Sequence, residues 1–222
     1  MAAMRPRYRN RREAGEVLAE LVQDHVEKAT DPITVLGLAR GGVPVGAPIA
    51  DRIGALLDVL TVRKIGAPGQ RELAIGAVAS GGLMVLNDDL VARLGLSRRD
   101  VEVQADVARR ELSERKALFR RDALAEPLAG RIVVVVDDGL ATGATMRAAL
   151  DAVRAAGATA VIAAAPVGAP DSCQLVAASA DALICPIQPE RFSAVGQWYD
   201  DFSTTTDDDV LRLLATARRP AG

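Results

Sequence analysis

Two adjacent carboxylates, Asp137 and Asp138, close a run of five β-branched residues, Ile132 to Val136, and are followed by Gly139-Leu140-Ala141-Thr142-Gly143-Ala144-Thr145. Paired acids at the tip of an apolar strand are costly to desolvate unless a cation or a set of hydroxyls satisfies them. A sugar diol and a metal ion would do so. The Ala-Thr-Gly-Ala-Thr that follows has small side chains, accessible backbone N–H groups, two hydroxyls and a helix behind it. That combination suits a phosphate dianion and needs no lysine. The segment is not a Walker loop, because GxxxxGK is absent. Nor is it a dinucleotide fingerprint, because the acids come first and the glycines are wrongly spaced. The plainer alternative is an acidic strand-to-helix turn capped by Thr142.

Positive charge gathers at two further places. Arg40-Gly41-Gly42 ends the apolar run Ile33 to Ala39 and precedes Val43 to Ile53, which reads as helical despite Pro44 and Pro48. The pattern is strand, glycine turn, helix. Lysine is scarce, with only Lys28, Lys64 and Lys116, so the pair Arg63-Lys64 before the glycine-rich stretch Gly66 to Gln70 stands out. Adjacent cations repel unless an anion sits between them. A solvated arginine and a solvated surface pair are the bland alternatives. The lone His25 falls on the exposed side of a helix and is given no role. Asp207-Asp208-Asp209 ahead of Val210, Leu211, Leu213 and Leu214 reads as a helix cap.

The elements that must position these residues follow from periodicity. Val17, Leu18, Leu21, Val22 and Val26 recur at helical spacing between Arg11 and Lys28. Leu56 to Ile65 reads as one strand, and 66–70 as a mobile loop. Ala74 to Ala79 and Leu83 to Leu86 flank Ser80-Gly81-Gly82 as a small hairpin, and Ser97 with Asp100 opens a charged, mostly solvated helix reaching about Arg121. The β-branched run 132–136 is the mark of a strand buried on both faces, at the centre of a parallel sheet. Helix 143–156, strand 158–165, helix 170–180 and strand 182–187 follow. Alternating strands and helices predict an α/β fold, a doubly wound parallel sheet flanked by helices, with ligands at the carboxyl ends of the strands.

A chain of 222 residues, half of them apolar, suits one α/β domain (1–222, core about 30–187). A net charge of −2 offers no field for a polyanion, which argues against nucleic acid as a partner. Cys173 and Cys185 lie in Ala-rich surroundings without CxxC or a nearby histidine, so neither a disulfide framework nor a zinc site is expected and a reducing cytoplasm fits. The arginine-rich N-terminus runs into Glu13, Glu16 and Glu20 and lacks the apolar core of a secretory signal. The apolar stretches are too short and too broken to span a bilayer.

Val133 to Thr145 resembles the phosphoribosyl pyrophosphate (PRPP) motif of the type I phosphoribosyltransferases. The resemblance implies a pentosyltransferase that moves 5-phosphoribose from Mg²⁺-PRPP to a nitrogenous base, with Asp137 and Asp138 at the ribose hydroxyls and the metal. Ala141, Thr142, Gly143, Ala144 and Thr145 would hold the 5-phosphate. Leu38-Ala39-Arg40-Gly41-Gly42 is similar to the family's pyrophosphate loop, which implies a cis peptide near Ala39-Arg40 and roles for Arg40, Gly41 and Gly42. Arg63-Lys64 resembles the segment leading into the flexible loop of adenine-specific members, which implies that Arg63 and Lys64 meet pyrophosphate. A hood subdomain, from the N-terminal helix and about 183–205, would receive the base. Leu183 or Ile184 would pack on the base, with Glu190 near its edge. Four of the chain's aromatics, Phe192, Trp198, Tyr199 and Phe202, fall there, as a local core or as stacking groups.

Ala141 stands where hypoxanthine-guanine enzymes carry an aspartate, and no lysine or arginine occurs between Ala163 and Pro170 to read a 6-oxo group. Family members are commonly homodimers, although no interface is marked in the sequence. Two other readings remain: a PRPP- or nucleotide-binding regulator that kept the pocket and lost catalysis, and an unrelated phosphosugar-binding α/β enzyme.

Overall fold

The computed structural model describes residues 7–119 and 127–217. It opens with α1 (Arg11–Val26), capped by the Asn10 side chain accepting from the Glu13 N–H. β1 (Ile33–Leu38), α2 (Gly42–Ile53) and β2 (Leu56–Leu60) form a first β-α-β unit. An excursion follows, in which β3 (Val62–Ala67), β4 (Gln70–Ala79) and β5 (Met84–Leu86) pair antiparallel, joined by α3 (Asp88–Arg93) and α4 (Arg98–Phe119). The chain returns through β6 (Ile132–Val136), α5 (Ala144–Ala155), β7 (Ala160–Ala164), α6 (Pro170–Ala177) and β8 (Ala182–Ile184), and ends in α7 (Asp207–Thr216).

The main sheet is parallel throughout, in the order β2-β1-β6-β7-β8, with helices on both faces. β6 takes the centre because it is apolar on both sides. Val133 and Val135 pack with Met146, Leu150 and Val153 of α5, while Val134 and Val136 pack with Leu18, Val22, Val45 and Ile49 of α1 and α2. All four valines are fully buried, each contributing on the order of 2 kcal/mol of apolar burial. Cys173 and Cys185 are free thiols buried in the α5 layer. Among the described residues no helix is long and apolar enough to cross a membrane.

The structure departs from the sequence expectations at four places. The run 56–65 is two strands in two sheets, parting at Thr61. There the Thr61 N–H donates to Ser80 Oγ at 3.1 Å and the Ser80 N–H donates to the Thr61 carbonyl at 2.9 Å, closing the neck of the excursion. The segment 66–70 is the turn of the β3–β4 hairpin, with Gly66 opposite Ala74 and Ala67 opposite Gln70. Within α4, Val101, Ala105, Ala108 and Leu112 bury a stripe against Ile65, Ile75 and Val78, so one face of this charged helix is core; Arg120 and Arg121 lie outside the described residues. On α1, Val17 and Leu21 are exposed. The contact of α1 with α2 is a narrow seam set by Gly15, where a methyl group would come within 2.3 Å of the Val45 carbonyl oxygen.

The segments expected to form a hood meet in a small apolar cluster of Tyr8, Ala14, Val167, Trp198 and Tyr199, with Ile187, Phe192 and Val195 against it. Its N-terminal share is Tyr8 and the first turn of α1, because Leu18, Ala19, Val22 and Val26 belong to the main sheet's layer.

Candidate functional site

Parallel pairing of β1 with β6, with Gly37 opposite Val136, sets the carboxyl ends of the two strands side by side. The turn after β1 therefore packs on the acids after β6. A methyl on Gly42 would lie 2.2 Å from the Val136 carbonyl oxygen, and one on Gly41 would lie 2.0 Å from Asp138 Oδ2. These two glycines are required by close approach of backbone to backbone and backbone to carboxylate. The Ala39–Arg40 peptide is cis.

Asp137 and Asp138 are both half-buried. Burial first, and the Asp138 carboxylate second, push the Asp137 carboxyl up to about 8, against the opposing pull of the Asp138 N–H and Arg11. The Asp138 N–H donates to Asp137 Oδ1 at 2.9 Å. Asp138 is held from the other side. Arg11 Nε donates to its Oδ2 at 2.8 Å, and the Tyr199 hydroxyl donates to its carbonyl at 2.7 Å. Burial, then Asp138, pushes the Tyr199 phenol up, so it remains a protonated donor. Two carboxylates in one low-dielectric corner with a single guanidinium beside them form a site that favours a further cation.

The loop beyond the acids is anchored underneath and open above. Leu140 is buried and bonded on both sides, its N–H to the Val167 carbonyl and its carbonyl to the Ala169 N–H, each at 2.9 Å. Ser172 Oγ donates to the Ala141 carbonyl at 2.7 Å. Gly143 has φ +68 and caps α5, and a side chain there would also meet Val176 at 2.9 Å. Ala141, Thr142 and Thr145 are exposed and Ala144 is half-buried. The Ala144 N–H donates to Thr142 Oγ1 at 3.4 Å, and the remaining N–H groups at the start of α5 follow directly on a loop of small side chains.

The cations flank this loop unequally. Lys64 and Arg63 line a cavity of about 360 Å³ with Thr145, and Lys64 lines another of about 700 Å³ with Ala144 and Arg147. Arg63 Nε is buried and finds no acceptor among the described residues. Arg40 is drawn away, to within 3.6 Å of Asp207 at the start of α7. Thr206 caps that helix, and Asp207, Asp208 and Asp209 fill its first turn, Asp209 completing a capping box with Thr206. Of the residues expected at the base, Leu183 and Ile184 are neighbours in β8 and join opposite apolar layers, and Glu190 is exposed. Trp198 and Tyr199 form the hood's own core, and Phe202 lies under the Arg11 guanidinium. His25 is exposed.

Sequence reasoning missed Arg11, Tyr199 as a hydrogen-bond donor, and Ser172. Arg11 lies 127 residues from Asp138 in a stretch with four other arginines, so no local signal marks it.

Residues 7–201 match the phosphoribosyl transferase domain family. Two Mycobacterium tuberculosis proteins, from strains CDC 1551 and H37Rv, carry names that assign them provisionally to the phosphoribosyl transferases. Each is 44% identical to this chain over 210 residues. The match takes in 95% of this chain and 47% of theirs, so the chain spans about half the length of the curated relatives it matches. Among solved structures, TT1426 of Thermus thermophilus is similar at 41% identity and a TM-score of 0.85, over 95% of this chain and 98% of that one. The AQ2163 protein of Aquifex aeolicus, at 13% identity and a TM-score of 0.50 over 84% of this chain and 78% of that one, shares the fold.

Proposed function

The chain belongs to the phosphoribosyl transferase domain family, and on that premise we propose that it transfers 5-phosphoribose from Mg²⁺-PRPP to a nitrogenous base, purine-like by preference, with release of pyrophosphate. The observation that carries the proposal is the corner where Asp137 and Asp138 meet Gly41 and Gly42, one turn ahead of the small-residue loop that heads α5. Carboxylates below the ribose stabilise the positive charge that develops at carbon 1 as its bond to pyrophosphate breaks and the base nitrogen's bond forms. The amides of 141–145 hold the 5-phosphate and fix the ribose over the acids. The buried, unpartnered Nε of Arg63, with Lys64 beside it, supports a place for an anion that these two cations would share. Arg40 would have to trade Asp207 for pyrophosphate.

Magnesium fits this donor set in a limited way. Among the described residues no group of three or more His, Cys, Asp or Glu is placed to hold a metal ion. Asp137 and the second oxygen of Asp138 would hold the ion, with substrate oxygens and water supplying its other ligands, as is usual for magnesium. Bound there, it would neutralise charge on the departing pyrophosphate. The base nitrogen is itself the nucleophile, so no covalent intermediate with the protein is expected.

Pyrophosphate release measured with PRPP, Mg²⁺ and a panel of purines and other nitrogen heterocycles tests the proposal. Base-dependent release for at least one acceptor is the expected outcome. Tight PRPP binding without release for any base would favour a binding regulator of the same fold, and failure to bind PRPP would defeat both.

A further inference from the structure

Resting on the PRPP reading above, we propose that Arg11 is a positioning residue for the ribose half of the site and acts through Asp138. Its guanidinium is fixed on three sides. Nε donates to Asp138 Oδ2 at 2.8 Å, Nη1 donates to the Ser203 carbonyl at 2.7 Å, and the Phe202 ring lies 3.9 Å from the guanidinium carbon. A methyl on Gly41 would sit 3.3 Å from that same Nε, so the side chain also borders the turn assigned to pyrophosphate.

Burial marks this ion pair. The Arg11 and Asp138 side chains are 12% and 17% exposed, whereas the arginines of the Arg109–Glu102 and Arg40–Asp207 pairs are 42% and 44% exposed. An exposed pair contributes little, but a partly buried charge that loses its partner leaves the other uncompensated, and the carboxylate then turns toward any remaining donor. With Nε and Nη1 held by protein acceptors and one face covered by a ring, Arg11 is built to orient a carboxylate. The Tyr199 hydroxyl fixes the same residue by its backbone, at 2.7 Å. The first turn of α1 and the segment 199–203 therefore both end on Asp138. They leave its Oδ1 to face the ribose hydroxyls, directly or through the metal ion, and they tie the hood to the sugar.

PRPP binding in the presence of Mg²⁺, measured by calorimetry on the full chain, tests this. Arg11→Ala should weaken PRPP about tenfold or more while the KM for the acceptor base stays within about twofold. Arg11→Lys, which keeps the charge but not two directed bonds, should recover part of the loss. Arg7→Ala is the control. Arg7 tethers the same segment to the Tyr199 carbonyl at 2.8 Å without touching Asp138, and it should leave PRPP affinity within about twofold. In an Asp138→Asn background the Arg11→Ala loss should shrink to about twofold or less. Should Arg11→Ala be insoluble, Arg11→Gln carries the same expectation. The inference is overturned if Arg11→Ala binds PRPP as the parent does, if its loss persists in full with Asp138→Asn, or if Arg7→Ala matches it. A parent protein that fails to bind PRPP overturns the functional reading instead.

Discussion

Replacing Asp137 with asparagine is expected to lower PRPP turnover by about 10²–10³-fold and, in the same protein without ligand, to raise the thermal midpoint. The two effects have one cause. Burial and the adjacent Asp138 carboxylate hold the Asp137 carboxyl at about 8, against an ordinary value of 3.8. Between those values the folded chain binds a proton that the unfolded chain does not, so stability falls as pH rises through that window and levels off above it. Below about pH 4 both states are protonated and the cost vanishes. Asparagine removes the titration and keeps the shape. Melting curves of the parent and Asp137→Asn taken without ligand from pH 4 to 8 should therefore diverge with rising pH, the variant being the more stable at the upper end. Saturating Mg²⁺-PRPP should reverse the order by stabilising the ionised parent alone. Parallel curves across the whole range would mean that Asp137 is not the strained acid described here.

Gly42→Ala is expected to give the largest loss of stability of any one-methyl change near the site. The added carbon would lie 2.2 Å from the Val136 carbonyl oxygen and 3.1 Å from the Asp137 Cα, both backbone atoms of the central strand and its turn. No rotamer relieves such a contact, so the ends of β1 and β6 must separate. Overpacking of this kind costs about 3 kcal/mol, which for a chain of this size lowers the thermal midpoint by roughly 6–12 °C. PRPP affinity should fall with it, because the same turn abuts Asp138. The control is Gly54→Ala, where nothing lies within 4 Å and the cost is that of φ +63 alone. Denaturant titration of both variants checks the ranking.

The main sheet was legible because its strands are nearly pure aliphatic runs, and a run such as Ile132 to Val136 admits few positions other than the centre. The strand-to-helix turn at 137–145 was legible because small residues after paired acids form a local pattern. The split at Thr61 was not legible, since Leu56 to Ile65 is continuously suited to a strand and the divide is made by Ser80, in another part of the chain. The turn at 66–70 was hidden for a related reason. Gly66 is there because a side chain would meet the Arg71 backbone at 2.7 Å, a requirement of pairing that looks in sequence like a flexible loop. Arg11 and Tyr199 escaped notice because their partner is distant along the chain. Leu183 and Ile184 could not be told apart without knowing which face of β8 each takes. The hood, assembled from both ends of the chain, was the least legible part and is also where the acceptor would be chosen.

The central claim is that a sugar phosphate is gripped where β6 gives way to Asp137 and Asp138 and then to the amides heading α5. A crystal soaked in Mg²⁺-PRPP tests it most directly. The expected density puts the 5-phosphate on the backbone N–H groups of residues 141–145 and the ribose hydroxyls within hydrogen-bonding reach of both acids. Density for PRPP elsewhere on the molecule, or an unchanged loop at a saturating concentration, would contradict the account.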